Sequence, residues 1–137
     1  MAAVLSDQAR TFLQEHHFAV CSTINKDGSS QLTLVTYVLD NDETIVMNVE
    51  FQSQKAKNMH RDPRIALCVQ DGNRYVSVSG TMMFLDDQQV IRHDLKRLVG
   101  RFLAGDEETR QQYVAHLLAH TRVSLRFTCE KVTEFLG

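Results

Sequence analysis

A small hydroxyl residue and two lysines follow an apolar segment near the middle of the chain, in residues 53–58, of sequence SQKAKN. The apolar segment, residues 44–49, has the composition of a β-strand, and helix-forming residues follow the polar turn. Backbone N–H groups at the start of a helix have no partner within the helix, and lysine adds a compact positive charge. The arrangement predicts that this turn binds the phosphate group of a cofactor.

Each polar residue of this turn also has a purely structural interpretation. Lys55 and Lys57 either bind phosphate or form a solvated basic helix face, the usual environment of lysine. Because residues i and i+2 of a helix point about 200° apart, the two lysines do not easily reach one phosphate. Ser53 is either the helix cap or a phosphate donor, and one hydroxyl can serve both purposes. Asn58 either holds the turn or contacts the cofactor.

Composition narrows the class of protein. The chain has 137 residues, of which 43% are apolar and 23% charged, so one globular domain is predicted over residues 1–137. A net charge of −2 argues against nucleic acid or an anionic membrane as a partner. No apolar run approaches the roughly 20 residues of a membrane helix, and the first seven residues show no signal-peptide pattern. The three cysteines form no Cys-x-x-Cys pair, so reduced thiols and a cytoplasmic location are expected.

Hydrophobic periodicity predicts a sheet with helices at its edges. We expect strands at residues 18–24, 31–39, 44–49, 64–70, 74–85 and 123–130, and helices at 6–15, 54–60, 87–103 and 107–119. Within residues 31–39 the alternation slips, which indicates a bulge or a change of buried face. Tight turns join most strands, whereas a parallel doubly wound sheet would need a helix after nearly every strand. The pattern therefore favours an antiparallel sheet closed into a small barrel.

Four segments carry a resemblance to a known family through their order and spacing. They are residues 19–28 (AVCSTINKDG), 31–37 (QLTLVTY), 53–64 (SQKAKNMHRDPR) and 75–81 (YVSVSGT). The chain resembles the FMN-binding split-barrel proteins related to pyridoxamine-phosphate oxidase, especially the small proteins that use flavin or the deazaflavin coenzyme F420. The resemblance extends from residue 5 to about residue 135. It implies a mainly β fold, an antiparallel six-stranded split β-barrel with flanking α-helices.

The resemblance also implies how a cofactor, F420 or FMN, is held. Such proteins bind the cofactor phosphate with a basic residue in the turn after the third strand, and Lys55 matches that position. Ser53 lies beside it, Lys57 follows, and Asn58 is a further candidate cofactor contact. Relatives are usually homodimers with each cofactor at the subunit interface, so a homodimer is expected here.

The cofactor ring is implied to lie against the backbone of the second and third strands, at residues 31–36 and 47–49. Candidate contacts there are Gln31, Thr33, Thr36, Asn48 and Val49. From the residues alone, Thr33 and Thr36 either donate to ring oxygens or are ordinary β-formers. A polar Asn48 within an apolar strand needs a hydrogen-bond partner if it is buried, and a ring atom would supply one.

A flavin or deazaflavin carries the hydride itself, so no acid–base pair and no catalytic side chain are predicted. The first hypothesis is an oxidoreductase that transfers a hydride between the bound cofactor and a small unsaturated substrate. Two alternatives remain: an FMN-dependent oxidoreductase of the pyridoxamine phosphate oxidase type, and a non-enzymatic flavin- or haem-binding protein. A second basic residue near the turn, Lys57 or Arg61, suits the acidic tail of F420 and favours that cofactor. His116 and His120 have a metal-ligand spacing but no third ligand, so no metal site is predicted.

Overall fold

The structure, a computed structural model, describes residues 5–137. Residues 1–4, part of the segment from which the absence of a signal peptide was predicted, lie outside the described residues. The described chain forms four helices: α1 (Asp7–Glu15), α2 (Gln54–Arg61), α3 (Gln88–Phe102) and α4 (Glu107–Leu117). It forms nine strands: β1 (Phe18–Ile24), β2 (Ser30–Thr36), β3 (Val38–Leu39), β4 (Thr44–Glu50), β5 (Arg64–Asp71), β6 (Arg74–Thr81), β7 (Met83–Leu85), β8 (Arg122–Thr128) and β9 (Lys131–Phe135).

The strands form two antiparallel sheets. The first sheet has the order β2-β1-β5-β6-β9, and the second has the order β3-β4-β8-β7. Side chains from both sheets and from α1 form one buried core, with Leu67 and Val78 from the first sheet and Met47 and Leu125 from the second. The predicted fold class, mainly β with antiparallel strands and flanking helices, is confirmed, and the strands lie in two sheets.

Two of the six predicted strands pass from one sheet to the other, and a further strand follows the last predicted one, which is why nine strands are found in residues 5–137. The predicted strand 31–39 divides at Tyr37 and the strand 74–85 divides at Met82, whereas the last predicted strand, 123–130, corresponds to β8 alone and β9 was not predicted. Tyr37 and Met82 are buried at these bends. The slipped alternation in residues 31–39 is therefore a change of sheet and of buried face, one of the two explanations it allowed.

Helices α1 and α2 begin at serine caps, as their sequences predicted. The hydroxyl of Ser6 accepts a hydrogen bond from the Ala9 N–H, and that of Ser53 accepts one from the Ala56 N–H. These bonds satisfy N–H groups that have no partner within the helix. The Ser53 cap fixes the start of α2.

Helix α3 lies across the face of the second sheet that points away from the core. Val38, Val46 and Leu98 form a small cluster there, separate from the main core. Both terminal nitrogens of Arg126 on β8 donate to the buried carboxylate of Asp94 on α3, at 2.7 and 2.9 Å. Helix α4 packs on α3 through Ile91, Val99 and Val114, among others. Over the described length of the chain, no helix has the length and apolar content needed to cross a membrane.

Candidate functional site

A cavity of about 430 Å³ lies between the outer face of the second sheet and helices α3 and α4. Its volume falls within the range of ordinary small-molecule sites. One wall is apolar and comes from the two helices, with Leu95, Leu98 and Phe102 from α3 and Tyr113 and Leu117 from α4. The opposite side is polar and is formed by the ends of β2, β4 and β8 and the start of α2.

Five of the nine sequence-predicted site residues line this cavity. They are Thr36 on β2, Asn48 and Val49 on β4, and Ser53 and Lys55 at the start of α2. Thr36 and Asn48 come from different sheets. The bend at Tyr37 and the turn between β4 and α2 therefore bring together residues that only the family resemblance had grouped.

The start of α2 provides the polar end of the cavity. The Ser53 hydroxyl accepts from the Ala56 N–H and donates to the Glu50 carbonyl, 2.8 Å away, so it serves as the helix cap. Lys55 is half-buried, and it forms no ion pair within residues 5–137. The N–H groups of the first turn of α2 that Ser53 does not cap and the unpaired ammonium group of Lys55 together form a local positive potential that suits an anion.

Lys57 and Asn58 lie on other faces of α2 and outside the cavity lining. Lys57 is exposed to solvent, as expected for a residue about 200° around the helix from Lys55. Asn58 is fully buried, and its amide donates to the Thr23 hydroxyl at 3.1 Å and to the Asn25 side chain at 3.0 Å. The contact with residues of β1 and its turn holds α2 against the first sheet. For both residues, a role in cofactor binding stays a prediction.

Gln31 and Thr33 face inward from β2 and do not line the cavity. The Gln31 side chain accepts from the Thr23 hydroxyl at 3.1 Å and so belongs to the hydrogen-bond network around Asn58. The Thr33 hydroxyl differs, because it is buried and has no hydrogen-bond partner in the described part of the chain. Thr33 pairs across the strands with Cys21, and the charge of Lys55 is close enough to act on the pKa of the Cys21 thiol, which burial raises to about 11.

An unpaired buried hydroxyl is unusual, because buried polar groups in proteins almost always have partners. Thr33 provides one such group, and the nearby Lys55 provides an unpaired charge. The half-apolar cavity and the unpaired charge of Lys55 fit a planar ring system attached to a phosphate, whereas the Thr33 hydroxyl lies outside the cavity lining. The residues present are therefore compatible with a flavin or deazaflavin cofactor.

One prominent lining residue, Arg122 at the start of β8, was not predicted from the sequence. Its Nε donates to the Asn48 side-chain oxygen at 2.6 Å, and Asn48 in turn donates to the Ser124 hydroxyl at 3.0 Å. The partner expected for Asn48 is thus a protein group. The β8 alternation, with Arg122, Ser124 and Arg126 on one face, was the available signal, but Asn48 is far away in sequence.

The histidine pair noted in the sequence does not share a helix. Helix α4 ends at Leu117, so His116 lies on it and His120 lies beyond it. In the part of the chain that the structure describes, no cluster of three or more histidine, cysteine, aspartate or glutamate residues could hold a metal ion.

Comparisons with known proteins place the fold in a family. The model of the family described as pyridoxamine 5'-phosphate oxidase matches residues 5–133. The F420H(2)-dependent biliverdin reductase of Mycobacterium tuberculosis is 31% identical over 99 residues, which is 72% of this chain and 72% of the relative.

Solved structures agree on the fold. A conserved hypothetical protein from Mycobacterium tuberculosis superimposes with a TM-score of 0.82 at 22% identity, over 97% of this chain and 86% of that one. The haem storage protein HutZ from Vibrio cholerae superimposes with a TM-score of 0.73 at 12% identity, over 98% of each chain. At these identities the similarity shows the fold alone, and the second protein shows that this fold is not restricted to enzymes.

Proposed function

This chain belongs to the pyridoxamine 5'-phosphate oxidase family, and we propose that it is an oxidoreductase that uses a deazaflavin or flavin cofactor. The observation that carries the proposal is the position of Ser53 and Lys55 at the polar end of a cavity with an apolar wall. F420 is favoured over FMN, because the relative that is 31% identical is named as F420H(2)-dependent.

Each residue around the cavity has a defined part in this proposal. The start of α2 and the ammonium group of Lys55 bind the cofactor phosphate, with Ser53 beside them. Thr36 and Val49 border the ring, and for Thr33, whose buried hydroxyl does not line the cavity, a contact with the ring stays a prediction. When bound, the cofactor supplies hydride transfer to or from a small unsaturated substrate. The apolar wall from α3 and α4 excludes water from the reacting groups.

Lys57 distinguishes the two cofactors in this proposal. Arg61, the other basic candidate, donates to the carbonyl of Ile24 and to the side chain of Asn58, so its guanidinium already has protein partners. Lys57 is exposed and forms no ion pair within the described residues. It is therefore the residue assigned to the acidic tail that F420 carries beyond its phosphate and that FMN lacks.

A homodimer is the second part of the proposal. An apolar patch on the outer face of β1 and β2 is exposed to solvent, with relative exposures of 48% for Phe18, 44% for Val20, 65% for Leu32 and 68% for Leu34. Contiguous apolar surface of this kind marks an interaction site. Leu34 also lines the cavity, so a second copy on this patch would border the cofactor site. Sedimentation equilibrium should give a dimer for the native chain and a monomer for the Leu32→Lys, Leu34→Lys double variant.

Titration of the purified protein with F420 and with FMN, followed by cofactor fluorescence, tests cofactor binding. Lys55→Ala should weaken binding of both cofactors by about 1–3 kcal/mol, the scale of a lost charge-assisted hydrogen bond. Lys57→Ala is the matched control on the same helix: it should weaken F420 binding and leave FMN binding unchanged. Equal affinity of native protein and Lys55→Ala for both cofactors would overturn the assignment of the phosphate position.

Oxidation of the reduced cofactor separates an enzyme from a carrier. Loaded protein should oxidise reduced F420 or FMN faster when unsaturated acceptors are added, as followed by absorbance. A Soret band after addition of haem, together with no acceptor-dependent oxidation, would contradict the proposed activity and indicate a haem-binding protein.

A further inference from the structure

Arg122 forms a second positively charged position in the cavity, separate from the start of α2. We propose that Arg122 binds the carboxylate of an apolar substrate whose body packs against helices α3 and α4. This inference rests on the proposed function, because it names the substrate class of the same cavity.

The guanidinium of Arg122 is held in place by uncharged groups. Its Nε donates to the Asn48 side-chain oxygen at 2.6 Å, and its Nη2 donates to the Asn48 backbone carbonyl at 3.3 Å. An arginine has five N–H donors, so three remain without a protein acceptor in residues 5–137. These donors form the planar fork that binds a carboxylate through two parallel hydrogen bonds.

The charge of Arg122 is not neutralised by an ion pair within the described residues. Its pKa is lowered from the ordinary arginine value mainly because burial removes the charge from water, although Glu50 and Tyr113 act in the opposite direction. Glu50 pairs across the strands with Arg122 and lines the same cavity, but it forms no ion pair with the guanidinium, and a half-buried charge without a direct carboxylate contact is costly to the folded protein. An anionic ligand in the cavity would offset that cost.

Arg122 and Lys55 belong to different elements that both adjoin the end of β4: Arg122 pairs across the strands with Glu50, the last residue of β4, and Lys55 lies in the helix that follows. Lys55 is close enough to β1 to act on the Cys21 thiol, whereas Arg122 is on β8, with β4 between it and β3. Strand β4 thus carries the Ser53 turn at its end and holds Arg122 through Asn48 on its flank. In the proposal, the two cations bind two anions, the cofactor phosphate at Lys55 and the substrate carboxylate at Arg122.

The apolar wall defines the rest of the substrate. Phe102 of α3 and Tyr113 and Leu117 of α4 line the cavity together with Arg122. Tyr113 is also near the guanidinium, since its phenol acts on the pKa of Arg122. A molecule with an aromatic or long aliphatic body and one carboxylate matches both the wall and the charge.

Two ligands that share a naphthyl body and end in a carboxylate or in a neutral hydroxyl group test the assignment: 1-naphthaleneacetate and 2-(1-naphthyl)ethanol. Binding is measured by calorimetry on the cofactor-loaded and on the cofactor-free protein. The native protein should bind the acid about tenfold or more tightly than the alcohol, as expected for a charge-assisted pair. Arg122→Gln should abolish this preference and leave alcohol binding unchanged, and Arg122→Lys should retain part of it.

The matched control is Arg92→Gln, which removes the same charge from an exposed position of α3 outside the cavity lining. It should keep the full preference for the acid, and thermal unfolding should show that all variants are folded. An unchanged acid preference in Arg122→Gln would overturn the inference. So would a tenfold loss of F420 or FMN affinity in that variant, because Arg122 would then belong to the cofactor.

The two proposals fail in different ways. Native protein that binds neither F420 nor FMN would overturn the proposed function. In that case the cofactor-free measurement still decides the role of Arg122, and an acid preference that depends on Arg122 would support it as a carboxylate-binding residue.

Discussion

Two arginines on the same face of β8 occupy similar surroundings but have different partners. Arg126 pairs through both terminal nitrogens with Asp94, a carboxylate with no solvent exposure. Arg122, four residues earlier, is held by the amide and backbone oxygens of Asn48. Both are half-buried beneath the α3–α4 pair, so the difference lies in the partner and not in the depth.

The comparison indicates that the paired charge of Arg126 stabilises the fold, whereas the charge of Arg122 is left for ligand binding. The pair at Arg126 cancels its own charge and fixes α3 to the second sheet, so it has little capacity to attract an anion. The contact at Arg122 orients the guanidinium but leaves it without an ion pair within residues 5–137. Removing a partner should therefore affect stability at the first position and ligand binding at the second.

The largest expected effect is on the free energy of unfolding, at the ion pair between Arg126 and Asp94. Asp94→Ala leaves the largely buried Arg126 charge without its carboxylate, and we expect a loss of about 3–5 kcal/mol in the free energy of unfolding. Urea denaturation followed by circular dichroism measures it. The double variant Asp94→Leu, Arg126→Met removes both charges and should be close to native stability. A single variant that loses less than about 1 kcal/mol would show that this pair does not anchor α3.

Helix α2 shows the same contrast between a side chain that has partners within the described part of the protein and one that has none there, and the expected effect on stability is smaller. Asn58 is buried and satisfied by side chains of β1 and its turn, whereas Lys55 has no ion-pair partner within the described residues. Asn58→Ala leaves the partners of its amide unsatisfied and should cost about 1–3 kcal/mol of stability. Lys55→Ala should leave the urea midpoint nearly unchanged. Equal losses in the two variants would remove the distinction between the two faces of α2.

The sequence was sufficient for the elements that depend on local patterns. The serine caps of α1 and α2 and the alternation of the strands lie within a few residues of one another, so they were predicted with bounds close to the observed ones. The slip near Tyr37 was visible, but whether it was a bulge or a change of sheet depends on long-range pairing. The same holds for the bends at Met82 and after Thr128.

The candidate site could be predicted only in part from the sequence, again because long-range strand pairing brings some of its residues together. Ser53 and Lys55 are neighbours in the chain, and their surroundings follow from one turn. Arg122 becomes significant only because β4 and β8 pair in a register that places Asn48 opposite Ser124. No local signal distinguishes Arg122 from Arg126, since the partner that decides the role of each comes from a distant segment.

Giving Arg122 a carboxylate partner, such as Arg126 already has, is a sharper test of the comparison between the two arginines. Asn48→Asp places a carboxylate where the amide now accepts from Arg122. We expect the affinity for 1-naphthaleneacetate to fall by about tenfold, because the new pair cancels the charge, while stability changes by less than about 1 kcal/mol. Ser124→Ala removes the other partner of Asn48 without adding charge and should keep the preference for the acid over the alcohol. Retained acid affinity in Asn48→Asp would show that the Arg122 charge does not attract the ligand.

The smallest expected effect is at Thr33, an uncharged group that lacks a partner in residues 5–137. Thr33→Val replaces the buried hydroxyl by a methyl group of similar shape, which removes the cost of leaving it unpaired. Stability of the cofactor-free protein should therefore rise by about 1 kcal/mol, and cofactor affinity should fall by a similar amount if the hydroxyl contacts the cofactor. Urea denaturation and fluorescence titration measure the two changes on the same preparation. A loss of stability in the cofactor-free variant would mean that the hydroxyl already has a partner, and Thr33 would then belong with Asn58 and Arg126 among the groups that the protein itself satisfies.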